Sequence, residues 1–363
     1  MYVFEGGSAD EAWTAAAESL LHGEVASHQD SRCGATRELL HVALVIRDPR
    51  RRWVVSRQPA PNPAFAIAES LWILAGRNDA AFPNYWNPAL PKFQGKHPTY
   101  HGAYGYRLRH AFGLDQIERA YAALAAKPTT RQVVLGIYNP ALDLPGEDGS
   151  PVSEDIPCNV CSLLKVRDGK LEWVQVMRSN DLIRGLPYNL VQFTVLQEVM
   201  AGWLGLEVGS YTHISDSLHV YEDDLATFEA SGDSGERLSE DRLDLPRSAW
   251  MPVFAEVLEA AESLKSDSLT EAEFGRIVFE GDLPAGYRNL LLIVAADTAR
   301  RRHWPELAAE VAKRCTNPLL SHAYSLWSQE VTKRARERAL LLERSGGPHE
   351  AGVASSTFPG GEA

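Results

Sequence analysis

The sequence predicts an α/β (α+β) fold. Three observations carry this: β-rich runs at residues 131–138 and 162–178, helical periodicity over residues 61–78, 190–204 and 251–343, and enough length for a large core. At 363 residues, 45% hydrophobic and 23% charged, the chain can bury such a core as one large domain or two unequal ones.

Residues 1–29 are expected to form a helical segment ahead of a main domain at 30–343. Residues 344–363, rich in Gly, Ser and Pro, are expected to be a disordered tail. The segment PNPAFAIAESLWILAGRN (61–78) opens with Asn-Pro turn chemistry, carries apolar side chains at helical spacing and stops at a Gly, so it predicts a mostly buried helix with Glu69 inside its apolar face. RQVVLGIY (131–138) predicts a buried strand, closed by Asn139-Pro140 and followed by an acidic Pro/Gly-rich loop to about residue 154. SLLKVRDGKLEWVQVMR (162–178) sets two β-rich runs about Asp168-Gly169, a strong hairpin signal; Cys158 leads into the first strand and Arg178 ends the second. Helical periodicity returns over 190–204, with Gly205 placed to end that helix, and an exposed polar excursion is expected at 229–247. Within the helical stretch 251–343, the basic residues from 333 onward are read as a solvated helix face rather than a membrane or nucleic-acid contact.

Composition narrows the function. No apolar run reaches the roughly 20 residues a bilayer requires, and the acidic start MYVFEGGSADEAW lacks the pattern of a secretory signal, so a cytoplasmic location and no membrane partner are expected. Four cysteines, Cys33, Cys158, Cys161 and Cys315, do not make a disulfide framework in so long a chain, so a thiol that matters is expected to act through its reactivity. A net charge of -12 argues against a nucleic-acid polymer as partner. A small anionic substrate remains allowed if arginines gather locally.

Cys158 lies in Asp155-Ile156-Pro157-Cys158-Asn159-Val160-Cys161, whose CxxC spacing suggests a redox pair or a metal site. A redox pair should open a helix, whereas this one feeds a strand, and no second Cys or His pair follows at zinc-site spacing. An isolated cysteine is most often inert and buried. Cys158 differs in its company: the hairpin returns Arg178-Ser179-Asn180-Asp181 toward it, and a nearby cation favours the thiolate that a nucleophile needs. That cluster of bidentate donor, hydroxyl and carboxylate suits a phosphate and a polar ring, although alone it reads as a surface ion pair. Asn189 in Pro187-Tyr188-Asn189 adds an amide. If their segment is extended, His219 and Tyr221 face one side and can both reach one sugar hydroxyl.

The segment DIPCNVCSLLKVRDGKLEWVQVMRSNDLIRGLPYNL resembles the core of the thymidylate synthase and pyrimidine-nucleotide hydroxymethylase family: Pro-Cys, a hairpin, Arg-Ser-x-Asp, then Pro-aromatic-Asn. The intervals from Cys158 to Arg178, Asp181, Asn189, His219 and Tyr221 match the family's. Upstream, AESLWILAGRND is similar to its Glu-x-x-Trp helix, YHGAYGYRLR to its Gly-x-x-Tyr-Gly turn and TTRQVVLGIYNP to its phosphate-binding arginine strand. The likeness covers residues 30–225.

The resemblance implies a thymidylate synthase-like fold, a twisted mixed sheet packed against helices and a homodimer formed through the sheet. It implies that Cys158 adds to C6 of the pyrimidine of a nucleoside monophosphate, so that C5 takes a one-carbon unit from 5,10-methylenetetrahydrofolate, with no metal. Arg32, Arg178 and Ser179 would hold the phosphate, joined by Arg131 of the partner subunit. Asn189 would read the O4 and N3 edge of the base, and His219 and Tyr221 the 3′-hydroxyl. Asp181 would position base and folate, with Trp86 also at the folate, and Glu69 would order water and relay protons, a role that suits a carboxyl raised by desolvation.

Departures refine the reading. Gln132 stands where the family usually has a second arginine, which is more like the hydroxymethylase branch; DSLHVY lacks the usual Gly-Asp-x-His spelling. Synthases end in a short apolar segment that excludes water from the folate, so that hydride rather than hydroxide completes the reaction; the ending GGPHEAGVASSTFPGGEA favours hydroxymethylation. Asn189, where cytosine-specific hydroxymethylases carry Asp, points to a uracil nucleotide. Hydroxymethylation of deoxyuridylate or a close relative is therefore the leading expectation, and thymidylate synthase itself the next. A nucleotide-binding protein without catalysis is a third reading, disfavoured by the intact Cys158; a redox CxxC protein is the most distant.

Overall fold

Strands β1 (Tyr2–Gly6), β2 (Ser27–Ser31), β3 (Gly34–Ile46), β5 (Val134–Gly136), β6 (Asn159–Arg167), β7 (Lys170–Met177), β8 (Asn180–Asp181) and β9 (Glu207–Tyr221) form one mixed sheet in the computed structural model, while β4 (Arg57–Gln58) pairs with β10 (Glu229–Ala230). The residues described are 1–22, 27–31, 34–225, 229–230 and 241–344. Arg32, Cys33, most of the expected excursion (231–240) and the tail from 345 lie outside them. The helices are α1 (Ala9–His22), α2 (Pro63–Leu74), α3 (Ala81–Trp86), α4 (Pro91–Gln94), α5 (Tyr104–Arg109), α6 (Gln116–Ala126), α7 (Pro140–Asp143), α8 (Leu186–Leu204), α9 (Glu222–Leu225), α10 (Arg247–Leu264), α11 (Glu271–Phe279), α12 (Ala285–Arg301), α13 (Pro305–Lys313) and α14 (Pro318–Arg344).

The sheet runs β1-β3-β9-β7-β6-β5, with β2 beside β3 and β8 beside β9. β1 is parallel to β3 and β7 to β9, whereas β3/β9, β6/β7 and β5/β6 are antiparallel. The β6–β7 hairpin closes where Arg167 faces Lys170, with Asp168 (φ 49) and Gly169 (φ 74) both left-handed, the geometry that Asp-Gly supplies in a two-residue hairpin turn. Two expectations are corrected. Tyr2–Gly6, expected within a helical first segment, is a strand, because its alternating side chains set Tyr2 and Phe4 toward the sheet's covered side. The strand expected over 131–138 is reduced to Val134–Gly136 at the sheet edge, and it is buried on one face only: Val134 is 51% exposed and Leu135 1%.

Helix α8 runs through the core between the sheet and helices α2 and α10, which is why its sequence is apolar nearly all round. Gly205 (φ 66) ends it in the left-handed conformation. Asn62 caps α2 by accepting from the Phe65 amide, Pro63 starts it, and Phe65, Ile67, Leu71 and Trp72 are buried along it. Met1–Trp327 form one compact unit. A second, Ser328–Ala363, is described as far as Arg344 as helix, with Lys333, Arg334 and Arg336 exposed. Among the described residues no helix is long and apolar enough to cross a membrane.

Candidate active site

A β-bulge opens the site. The β6–β7 register slips between Asn159 and Cys161, and both the Ile137 and Tyr138 amides donate to the Val160 carbonyl (2.9 and 3.1 Å). Such a bulge re-aims the chain at a strand end. Just ahead of it, half-buried Cys158 is tied to the far strand by the Arg178 amide donating to its carbonyl (2.8 Å). The Arg178 guanidinium donates to the carbonyls of Pro157 (3.0 Å) and Ile156 (3.1 Å) and lies 4.0 Å from Cys158 Sγ. The hairpin thus brings a fixed cation to the thiol, as expected. Cys158 and Cys161 form no disulfide, and burial pushes the Cys161 thiol up, away from reactivity.

Beyond Arg178, half-buried Ser179 leads into β8, which pairs in parallel with the end of β9 and sets Asp181 against His219. Asp181 Oδ1 accepts from the Ile183 and Arg184 amides (2.7 and 2.6 Å), while Oδ2 is buried and has no hydrogen-bond partner among the described residues. Burial raises the Asp181 carboxyl and lowers the His219 imidazole, each opposed by the other's charge. His219 and Tyr221, two residues apart on β9, share a side with ring centroids 5.5 Å apart. Arg184, which sequence reasoning missed, lies 4.4 Å over the Tyr221 ring and is held by both Asp224 oxygens (2.8 and 3.0 Å). Behind β8, Asn180 donates to His213 Nε2 (2.7 Å), and the other ring nitrogen of His213 meets Tyr211 Oη (2.9 Å). Burial lowers His213 to about 3, so this support stays neutral.

The opposite wall comes from α2 and α8. Glu69 is raised to about 7 by burial, against the hydrogen bond that Gln192 donates to it (2.5 Å). Gln192 in turn accepts from Asn189 Nδ2 (3.0 Å), so two expected site residues are linked through one that was not expected. The signal was present, since positions 189 and 192 share a helix face. Tyr104 was also missed: its phenol is raised well above its ordinary value by burial, then by the charges of Cys158, Glu69 and Asp155 nearby. Gly105 makes this possible, because a Cβ there would lie 2.3 Å from the Ile73 carbonyl oxygen, so α5 rests directly on α2.

Arg131 and Gln132 are exposed ahead of the edge strand β5. The Trp86 side chain is fully buried, and its carbonyl accepts from Arg301 (2.6 Å) and Asn62 (3.4 Å). These bonds tie the end of α3 to the start of α2 and the end of α12.

Residues 60–245 match the thymidylate synthase family. The chain is 38% identical over 236 residues to a deoxyuridylate hydroxymethyltransferase of Bacillus phage SP01, covering 62% of this chain and 60% of that protein. It is 36% identical over 186 residues to a deoxyuridylate hydroxymethyltransferase of Pseudomonas phage M6, covering 51% and 52%. It is 34% identical over 133 residues to thymidylate synthase 1/2 of Encephalitozoon cuniculi, covering 33% and 43%. The chain thus spans about 60% or less of the length of these curated relatives. The matched residues contain the bulge, the hairpin, the Arg178–Asp181 cluster and the Glu69–Gln192–Asn189 relay, and the chain belongs to the thymidylate synthase family.

Proposed function

We propose that this chain is a one-carbon transferase that adds a hydroxymethyl group to C5 of a uracil nucleoside monophosphate, deoxyuridylate or a close relative. The observation that carries it is the pairing of Cys158 with Arg178 on one wall and the Glu69–Gln192–Asn189 relay on the other. Cys158 as thiolate adds to C6, and the electron pair released toward O4 makes C5 nucleophilic. When bound, 5,10-methylenetetrahydrofolate supplies the one-carbon unit. Asp181 fits it, since its buried Oδ2 has no hydrogen-bond partner among the described residues and can accept from a donor. Glu69, with a pKa near neutrality, holds water and takes or returns a proton at its carboxyl oxygen. Nucleotide, methylenetetrahydrofolate and water together balance to hydroxymethyl nucleotide and tetrahydrofolate.

Arg178 and Ser179, with Arg32, serve the phosphate, and His219 and Tyr221 the sugar. Arg131 would complete the phosphate site of a second copy in a homodimer. This is supported by the register row Val134, Leu163, Val174 and Thr212, which is exposed or half-buried on the face turned away from α8. Hydroxymethylation is favoured over methylation by the names of the two phage relatives and by Gln132. Mass spectrometry of the product made from deoxyuridylate and methylenetetrahydrofolate tests this: a gain of CH2O supports it, a gain of CH2 makes the protein a thymidylate synthase, and no product removes the catalytic reading.

A further inference from the structure

An amide has a donor end and an acceptor end, and on a base edge its orientation decides which base it fits. Uracil offers an acceptor at O4 and a donor at N3, while cytosine offers the reverse. A free asparagine can turn over and satisfy either. Asn189 is not free: its Nδ2 donates to Gln192 Oε1 (3.0 Å), and Gln192 Nε2 donates to Glu69 Oε2 (2.5 Å). Gln192 is 1% exposed on α8, so no water competes for its amide. An ionised Glu69 is acceptor-only, which directs the Gln192 nitrogen toward it and leaves the Gln192 oxygen facing Asn189. If Asn189 turned over, its Oδ1 would meet that oxygen with no proton between them. If Gln192 turned as well, its oxygen would meet the carboxylate.

We infer that Gln192 is a positioning residue for base choice, locking Asn189 with one Nδ2 proton bound and the other, beside Oδ1, presented as the donor–acceptor pair that fits uracil. The inference rests on Asn189 being the base contact, as proposed above. It explains why a second buried amide sits between a catalytic carboxyl and a binding amide: with an aliphatic side chain at 192, Glu69 and Asn189 would be uncoupled, and either orientation of Asn189 would be open.

Calorimetric titration of the full chain with deoxyuridylate and with deoxycytidylate at pH 8, where Glu69 is ionised, tests this with wild type, Gln192→Met and Gln192→Glu. Methionine removes both hydrogen bonds at similar volume, and the preference for deoxyuridylate should fall by about tenfold or more, the value of a mismatched buried polar pair. Glutamate keeps an acceptor toward Asn189, sharing a proton with Glu69, so the preference should survive even if affinity drops. Circular dichroism establishes that each variant is folded. A folded methionine variant with the wild-type preference overturns the inference, and so does loss of preference in the glutamate variant, which would make the role one of packing. These failures leave the proposed function standing. Wild type that binds neither nucleotide, or prefers deoxycytidylate, overturns the assignment of Asn189 and the inference together.

Discussion

At the residue scale, the proposed mechanism divides the chemistry between Cys158 and Glu69, and their variants should fail differently. Cys158→Ser should abolish turnover while nucleotide affinity stays within a few-fold, because a hydroxyl is a poor nucleophile near neutral pH and the phosphate contacts remain. Full activity in that variant would remove the covalent mechanism. Cys161→Ser should be nearly neutral, its thiol being raised by burial and unpaired with Cys158. Glu69 carries a linked pH effect. Its folded pKa, about 7, exceeds the ordinary 4.5, so the folded state binds the proton more tightly and stability falls as pH rises through that window. The full cost above pH 7 is on the order of 3 kcal/mol. Glu69→Gln should therefore be inactive yet more stable than wild type at pH 8, with little difference near pH 4. Urea unfolding at both pH values checks this, and an equal change at both would show that desolvation is not the cause.

At the scale of elements, the site depends on how closely α5 rests on α2. Gly105 allows the contact, since an added Cβ would lie 2.3 Å from Ile73 O and 2.6 Å from Ile73 Cα, both backbone atoms that cannot rotate aside. Gly105→Ala should destabilise by about 1–3 kcal/mol. It should also reduce kcat more than nucleotide binding, because it parts Tyr104 from the helix bearing Glu69 while leaving the β7–β9 binding elements in place. Thermal melts with steady-state kinetics would separate the effects; a change in stability with unaltered kcat would mean that the helix pair tolerates the shift.

At the scale of the whole molecule, two features bear on assembly. The sheet presents a partly apolar face opposite α8, and Arg131 stands exposed three residues before Val134 at its edge. If a second copy covers that face, mixing inactive Cys158→Ser with inactive Arg131→Ala should produce hybrid dimers in which one site has both intact residues. Activity should return to a fraction of wild type. Hybrids verified by mass spectrometry that recover nothing would count against a shared site.

The sequence by itself determined the local elements and the order of the chemical groups. Asp168-Gly169 specified the hairpin, Gly205 the end of α8, and the fixed intervals from Cys158 to Tyr221 the family, because turn chemistry and motif spacing are properties of neighbouring residues. Short and edge elements were less legible: β1 has only five residues, and β5 shows an alternation that depends on which face the fold covers. Tertiary structure alone decided the couplings. The Trp86 carbonyl joins the N-cap of α2 to the end of α12, because the fold brings both to the end of α3. Tyr104 joined the site because α5 packs on α2, and Gln192 became the link between Glu69 and Asn189 because α8 passes α2 at that turn. Raised and lowered pKa values have the same origin: desolvation is set by everything packed around a group, and no local stretch of sequence encodes it.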